Sequence, residues 1–224
     1  MNNIRSIEAF RRQYRSAISP RYNGYLHMGF VAVVGIVYIA WQLQAVAVFG
    51  WQQGLALIAV LLLWNLIEYT VHRYLGHRRT VIGRLFYQRH TGDHHHFFDH
   101  RHLVPDDHRD WRVTLFPAWL VLVTAVVGLL AGWVVNSVLG APWGNLLAAG
   151  LMMGYLGYEF FHFCDHLRYD HPLLKLPWIG HMRRLHQLHH RPDLMHKKNF
   201  NLTFPLADWL FGTFYWERPE IADI

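Results

Sequence analysis

Long apolar runs alternate with polar blocks along this chain. Residues 22–72 and 113–167 contain no Lys or Arg. All 21 basic residues fall in three blocks: up to Arg21, from Arg73 to Arg112, and from Arg168 onward. Each apolar stretch is about 50 residues long, and a helix that spans a bilayer needs about 20. Each stretch therefore predicts two helices joined by a tight turn. The first pair is expected over 25–48 and 52–69, turning at Phe49-Gly50-Trp51. The second is expected over 114–135 and 145–161, with Asn136, Gly140, Pro142 and Gly144 at the break. The pattern predicts an all-α integral membrane protein, with four spans in two hairpins and one domain over residues 1–224.

Charge gives the orientation. Two hairpins put both termini and the central loop on one side, and every Lys and Arg falls on that side. The positive-inside rule makes it cytoplasmic. The membrane is expected to be a bacterial inner membrane first, the endoplasmic reticulum second. The polar N-terminus shows no cleavable signal. Charged residues are only 16% of the chain, against about 25% in soluble domains. The net charge of +6 does not predict a nucleic-acid partner, because the bases fence off apolar stretches instead of forming a basic face. A single cysteine, Cys164, excludes an intrachain disulfide and a Cys-based zinc site.

Histidine changes the picture most: 18 are present, against 15 acids. Ten fall in four clusters: His72 and His77 (HxxxxH); His90, His94 and His95 (HxxxHH); His162 and His166 (HxxxH); His186, His189 and His190 (HxxHH). On a helix, positions three and four apart share a face, so the third and fourth clusters each present their rings together. His72 and His77 would sit about 140° apart on an unbroken helix. They meet only if the helix ends or bends, as Gly76 permits; otherwise each serves a different metal. His96 is an alternative to His95. The spans bring all four clusters to one cytoplasmic layer, where the loop and C-terminal region form a helical cap. Ten imidazoles exceed what one ion accepts, so two metal ions are expected. Imidazole suits iron and also zinc, which purified protein can carry. Glu68, Asp93, Glu159 and Asp165 are candidate acceptors for ligand N–H groups. Glu68 precedes His72, and Glu159 precedes His162, by about one helical turn.

At these residues the sequence resembles the fatty acid hydroxylase and sterol desaturase superfamily. The order of the four histidine clusters matches, as does their placement in pairs after each hairpin. The stretch from Asn199-Phe200-Asn201 to Phe211-Gly212-Thr213 is similar to the closing segment of that superfamily. The resemblance implies a membrane-bound non-haem di-iron oxygenase that uses dioxygen and two electrons to hydroxylate a lipid C–H bond, on a fatty acyl or sterol-like substrate. It implies that His72, His77, His90, His94, His95, His162, His166, His186, His189 and His190 are the metal ligands. It implies an external electron donor of cytochrome or ferredoxin type. The second cluster departs from one branch: lipid 2-hydroxylases of the superfamily commonly carry HxxHH there. A desaturase on the same site is the nearest competing reading. A membrane metal-transport or metal-binding protein is a competitor of another class, although its ligands would lie nearer the bilayer centre. Aromatic residues after Phe200 are expected to face the interface or pack over the site.

Overall fold

The computed structural model describes residues 2–217, with side chains from Ile7 onward. No β-strand forms among them. The helices are α1 (Asn2–Ser16), α2 (Gly24–Leu43), α3 (Trp51–Thr70), α4 (Arg84–Tyr87), α5 (His95–Phe97), α6 (Trp111–Thr114), α7 (Leu120–Leu139), α8 (Trp143–Asp165), α9 (Pro177–His189) and α10 (Leu206–Leu210). Two further turns, Val71–Gly76 and Gln88–His94, are π-helical. Three helical stretches are long and apolar enough to cross a membrane: Gly24–Leu43, Trp51–Gly76 and Leu120–Leu139.

The chain divides into two compact units. One comprises Tyr25–Ile67 and Pro117–Glu159. Its core is Val31, Tyr38, Val121, Ala148, Met152 and Tyr155. Small residues let its helices approach closely, as in lipid, where packing replaces the hydrophobic effect. A Cβ on Gly144 would strike the carbonyl of Gly132, and one on Gly154 would strike the Trp64 ring. Leu55 and Ile58 on α3, and Val126, Leu130 and Trp133 on α7, are exposed. Apolar surface this extensive marks a face built for a non-aqueous neighbour. In α8, Leu146, Ala148, Ala149 and Met152 are buried. That inner position suits the four glycines of α8, more than any other long helix carries.

Span boundaries depart most from the sequence expectation at the start of the third helix and the end of the first. The third begins at Leu120, not 114. Pro117 lacks an N–H and drives the residue before it out of helical geometry, so Thr114 closes the short α6 instead. The helix then runs to Leu139, where Gly140 at φ 78° ends it. The first span stops at Leu43, not 48. Gln42 is buried, and its side-chain oxygen accepts from Asn145 Nδ2 at 2.8 Å. Asn145 Oδ1 accepts from Asn136 Nδ2 at 2.9 Å.

The other unit comprises Met1–Gly24, Glu68–Phe116 and Phe160–Ile224. Here α1 lays Phe10 and Tyr14 on a core of Phe97, Phe98, Leu103 and Val113. It is tied down by Arg15, which donates to both oxygens of the buried Asp110 at 2.8 and 2.7 Å. Helix α9 starts with Pro177 in its first turn, where the missing N–H costs nothing. Every residue of α9 from Met182 to His189 is buried. Of the aromatic tail, Phe200 and Leu202 are buried, whereas Phe204, Trp209, Leu210 and Phe211 are exposed.

Candidate metal centre

The ten clustered histidines gather within the second of these units, and they sort into two groups. His72, His77, His90, His95 and His189 form one, and His94, His166, His186 and His190 the other. Within each group the donor atoms all lie within 4.8 Å of one another. His162 joins the second group through its Nε2, 3.2 Å from that of His94. The groups are adjacent: the His95 and His190 ring centroids are 4.3 Å apart.

Neighbours in sequence are divided between the groups. His94 and His95 face different ones, and so do His189 and His190. Consecutive helical residues differ by about 100° in direction, which suffices to aim each at a separate centre. The π-helical turns supply the complementary effect. His72 and His77, five residues apart, fall in one group because Val71–Gly76 is π-helical. His90 and His95 are also five apart, and the His95 N–H donates to the His90 carbonyl, the i→i+5 bond of a π turn. Both pairs therefore lie on one side, where an α-helix would splay them. Gly76 contributes by size as well: a Cβ there would lie 3.1 Å from the His90 ring.

Within each group Nε2 atoms face one another, and six of the rings are anchored outward through Nδ1. In the first group His72 Nδ1 donates to the Phe200 carbonyl at 2.5 Å, and His189 Nδ1 to the Lys198 carbonyl at 2.8 Å. His77 Nδ1 meets Thr91 Oγ1 at 3.4 Å, whose hydroxyl donates to the Gly76 carbonyl at 2.7 Å. In the second group His94, His166 and His190 donate to the carbonyls of Val113, Leu103 and Phe98 at 3.2, 2.6 and 3.1 Å. A proton held on Nδ1 leaves the Nε2 lone pair free to bind a metal.

Burial, and then the charge of neighbouring imidazoles, pushes His90, His94, His95, His166, His186 and His190 well below the usual histidine range. His77 moves the same way for the same reasons. Burial holds His189 at about 4, even though its bond to the Lys198 carbonyl acts in the opposite direction. The rings are neutral at physiological pH, the form a cation requires.

The spacing of the donors fits a metal. Nε2 atoms lie 3.1 Å apart for His72 and His189, 2.9 Å for His77 and His189, and 3.0 Å for His90 and His95. In the second group His94 and His190 are 3.1 Å apart, and His186 and His190 3.0 Å. Neutral rings have no reason to aim lone pairs at each other. Two nitrogens each about 2.1 Å from one ion would stand about 3.0 Å apart at a right angle, and about 3.4 Å apart at a tetrahedral angle. The spacing here matches right angles, the arrangement of a site with five or six positions. Both groups can hold a metal ion.

The acids expected to accept ligand N–H groups stand elsewhere. Glu68 accepts from the Leu202 N–H, the Thr203 N–H (3.1 Å) and the Thr203 hydroxyl (2.6 Å). Asp93 accepts from Gln88 and Arg89 at 3.0 and 3.1 Å. Glu159 accepts from the Tyr155 hydroxyl at 3.0 Å. Asp165 is fully buried, with neither carboxylate oxygen hydrogen-bonded. Main-chain carbonyls of Phe98, Leu103, Val113, Lys198 and Phe200 take ring N–H groups instead. His96 lies outside both groups and meets the Thr91 carbonyl at 2.7 Å. Spacing does not single out Thr91 or Asp208; the one signal for Asp208 is its place in the stretch from Asn199 to Thr213 that is similar to the superfamily's closing segment.

Comparison with known proteins agrees with this arrangement. The fatty acid hydroxylase family profile matches residues 57–213, which contain all ten clustered histidines. The dihydroceramide fatty acyl 2-hydroxylase FAH2 of Arabidopsis thaliana is 30% identical over 166 residues, 72% of this chain and 61% of that protein. The fatty acid 2-hydroxylase of Homo sapiens is 28% identical over 162 residues, 71% of this chain and 39% of that protein. The chain thus spans about 40–60% of the length of these curated relatives. Among solved structures, full-length Scs7p, of which only the hydroxylase domain is visible, shares the fold with a TM-score of 0.59 at 20% identity. That match covers 87% of this chain and 67% of the other. By its sequence match and its paired histidine groups, the chain belongs to the fatty acid hydroxylase family.

Proposed function

We propose that this chain is a membrane-bound non-haem di-iron oxygenase that hydroxylates a C–H bond in the acyl chain of a lipid, using dioxygen and two electrons. The observation that carries the reading is the pair of adjacent groups of neutral, inward-facing imidazoles at metal-ligand spacing. His72, His77, His90, His95 and His189 hold one ion; His94, His162, His166, His186 and His190 hold the other. The irons would supply dioxygen reduction and C–H oxidation, chemistry that no side chain provides. The protein fixes ring orientation through the carbonyls, keeps each imidazole neutral and shields the centre from water. Relatives named as acting on fatty acids and dihydroceramide acyl groups support an acyl substrate. They also favour position 2 of the chain, although the second histidine cluster is one residue longer than is common among 2-hydroxylases.

In this reading α2, α3, α7 and α8 are four spans in two hairpins, and residues 1–224 form one catalytic domain. All 21 basic residues lie in the segments outside the hairpins, which makes that side, with the site, cytoplasmic. Electrons come from a cytochrome or ferredoxin type of donor.

Two measurements test the proposal. Metal analysis of detergent-purified protein should give about two equivalents of iron per chain, the number two ligand groups would hold. Lipids from cells expressing the protein should gain one oxygen, traceable to labelled dioxygen. A product lacking two hydrogens would make the chain a desaturase, and absence of metal after iron-supplemented expression would end the oxygenase reading.

A further inference from the structure

Residues 198–203 form a loop whose carbonyls anchor rings of one metal group. The Lys198 and Phe200 carbonyls accept from His189 and His72, both in the five-histidine group. The second group anchors its rings on Phe98, Leu103 and Val113 instead. Whatever fixes the loop therefore acts on one centre.

Two buried acids fix it from opposite ends. Asp208 takes the Phe200 N–H on Oδ1 at 3.0 Å and the Asn201 N–H on Oδ2 at 2.8 Å. The Thr213 hydroxyl donates to Oδ1 at 2.6 Å, and Asn201 Oδ1 accepts the Asp208 N–H at 3.2 Å. Glu68 holds the next two residues through the Leu202 and Thr203 amides and the Thr203 hydroxyl. Asn199 sets the entry to the loop. Its backbone is left-handed at φ 58°, its Nδ2 donates to the Leu185 and Tyr215 carbonyls, and its Oδ1 accepts from the Tyr215 N–H. The peptide group joining Phe200 to Asn201 is thus gripped on both sides: its N–H, that of Asn201, by Asp208, and its carbonyl, that of Phe200, by His72.

We infer that Asp208, with Glu68, is a positioning residue for the five-histidine metal centre alone, acting on the His72 ring through the peptide group that joins Phe200 to Asn201. The inference rests on the proposed pair of metal ions. It assigns a role to two carboxylates that bind no metal. It also explains why the segment from Asn199 to Thr213 accompanies the histidine clusters although it contributes no ligand.

The experiment is a cobalt(II) titration of the metal-free full-length chain in detergent, followed by visible absorption. The parent should bind two equivalents. Asp208→Asn keeps the shape but places an N–H₂ against a backbone N–H. It should weaken one equivalent by about 10–100-fold and leave the other unchanged, the range found when support for a metal ligand is lost. In a His186→Ala background the remaining cobalt should be the weakened one; in a His77→Ala background it should not. Glu68→Gln should weaken the same equivalent, so the test survives if the Asp208 variant does not fold. Thr213→Ser retains the hydroxyl and should titrate like the parent. Equal weakening of both equivalents, or of neither, overturns the inference while leaving two metals in place. A parent that binds no cobalt overturns the proposed function and this inference with it.

Discussion

His90 and His95 are five residues apart, yet their Nε2 atoms are 3.0 Å apart and belong to one group of donors. The π turn Gln88–His94 makes this possible by advancing one residue further per turn than an α-helix. A π turn is in effect an α turn with one residue added. Deleting Gly92 should let the segment revert to α geometry, leaving the two rings four residues apart and still on one face. The expected result is a folded protein that keeps about two metals per chain. Inserting an alanine after Thr91 should instead reduce metal content, since no regular helix realigns rings six apart. Metal analysis of the two variants decides it; loss of metal on deletion would remove the π turn from the explanation.

Adjacent histidines should empty different sites. His94→Ala should reduce the group containing His166, His186 and His190, and His95→Ala the group containing His72, His77 and His189. Each should lose about one metal and lower activity by at least about 100-fold, since even outer support of a ligand is worth 10–100-fold. Iron spectra of the two variants should differ, each showing the centre the other lacks. Identical residual spectra would contradict the division.

Metal-free protein should be sensitive to mild acid. The buried histidines have folded-state affinities for protons depressed far below the ordinary value near 6.5, with His189 at about 4. Unfolded chains therefore bind more protons than the folded chain below about pH 6.5, and stability falls as pH drops. Stability should be flat from about pH 8 to 7 and decline from about pH 6.5 through 4, which thermal melts of chelator-treated protein would follow. Bound metal should raise the melting temperature across this range, because it binds only the folded, neutral site, while the onset of the decline stays where the unfolded histidines titrate. A melting temperature independent of pH over this window would refute the assignment of neutral rings.

Helix packing gives a fourth test. Gly144→Ala places a Cβ against the Gly132 backbone, which cannot move aside cheaply. It should cost about 1–3 kcal/mol, the usual penalty of overpacking. Gly29→Ala meets nothing within 4 Å and should be neutral or stabilising by up to about 1 kcal/mol through helix propensity. Thermal melts in detergent compare them; equal melting temperatures would mean α7 and α8 do not pack at this point.

Much of this protein is legible in order and spacing. The two base-free stretches mark the four long helices, because hydropathy is local and a spanning helix satisfies its own backbone. Pro117 and Gly140, visible in the sequence, set the limits of α7, and the stretch 114–119 misled only because its apolar residues outweighed the proline. The ten clustered histidines are those whose donors converge, since metal-ligand spacing repeats with the helical turn. Spacing does not reveal which centre each ring faces. His94 and His95 part company, and His72 and His77 come together, according to whether a turn is α or π. That choice depends on contacts such as Gly76 against His90. Nor does sequence reveal what steadies the rings. The acids one turn before His72 and His162 looked suited to the task, but carbonyls perform it, from residues as distant as Phe200 is from His72. Every residue carries a carbonyl, so no residue type announces one that accepts a ligand proton. Only the folded chain, by bringing the loop at 198–203 against α9 and the π turn after α3, selects Lys198 and Phe200 for it.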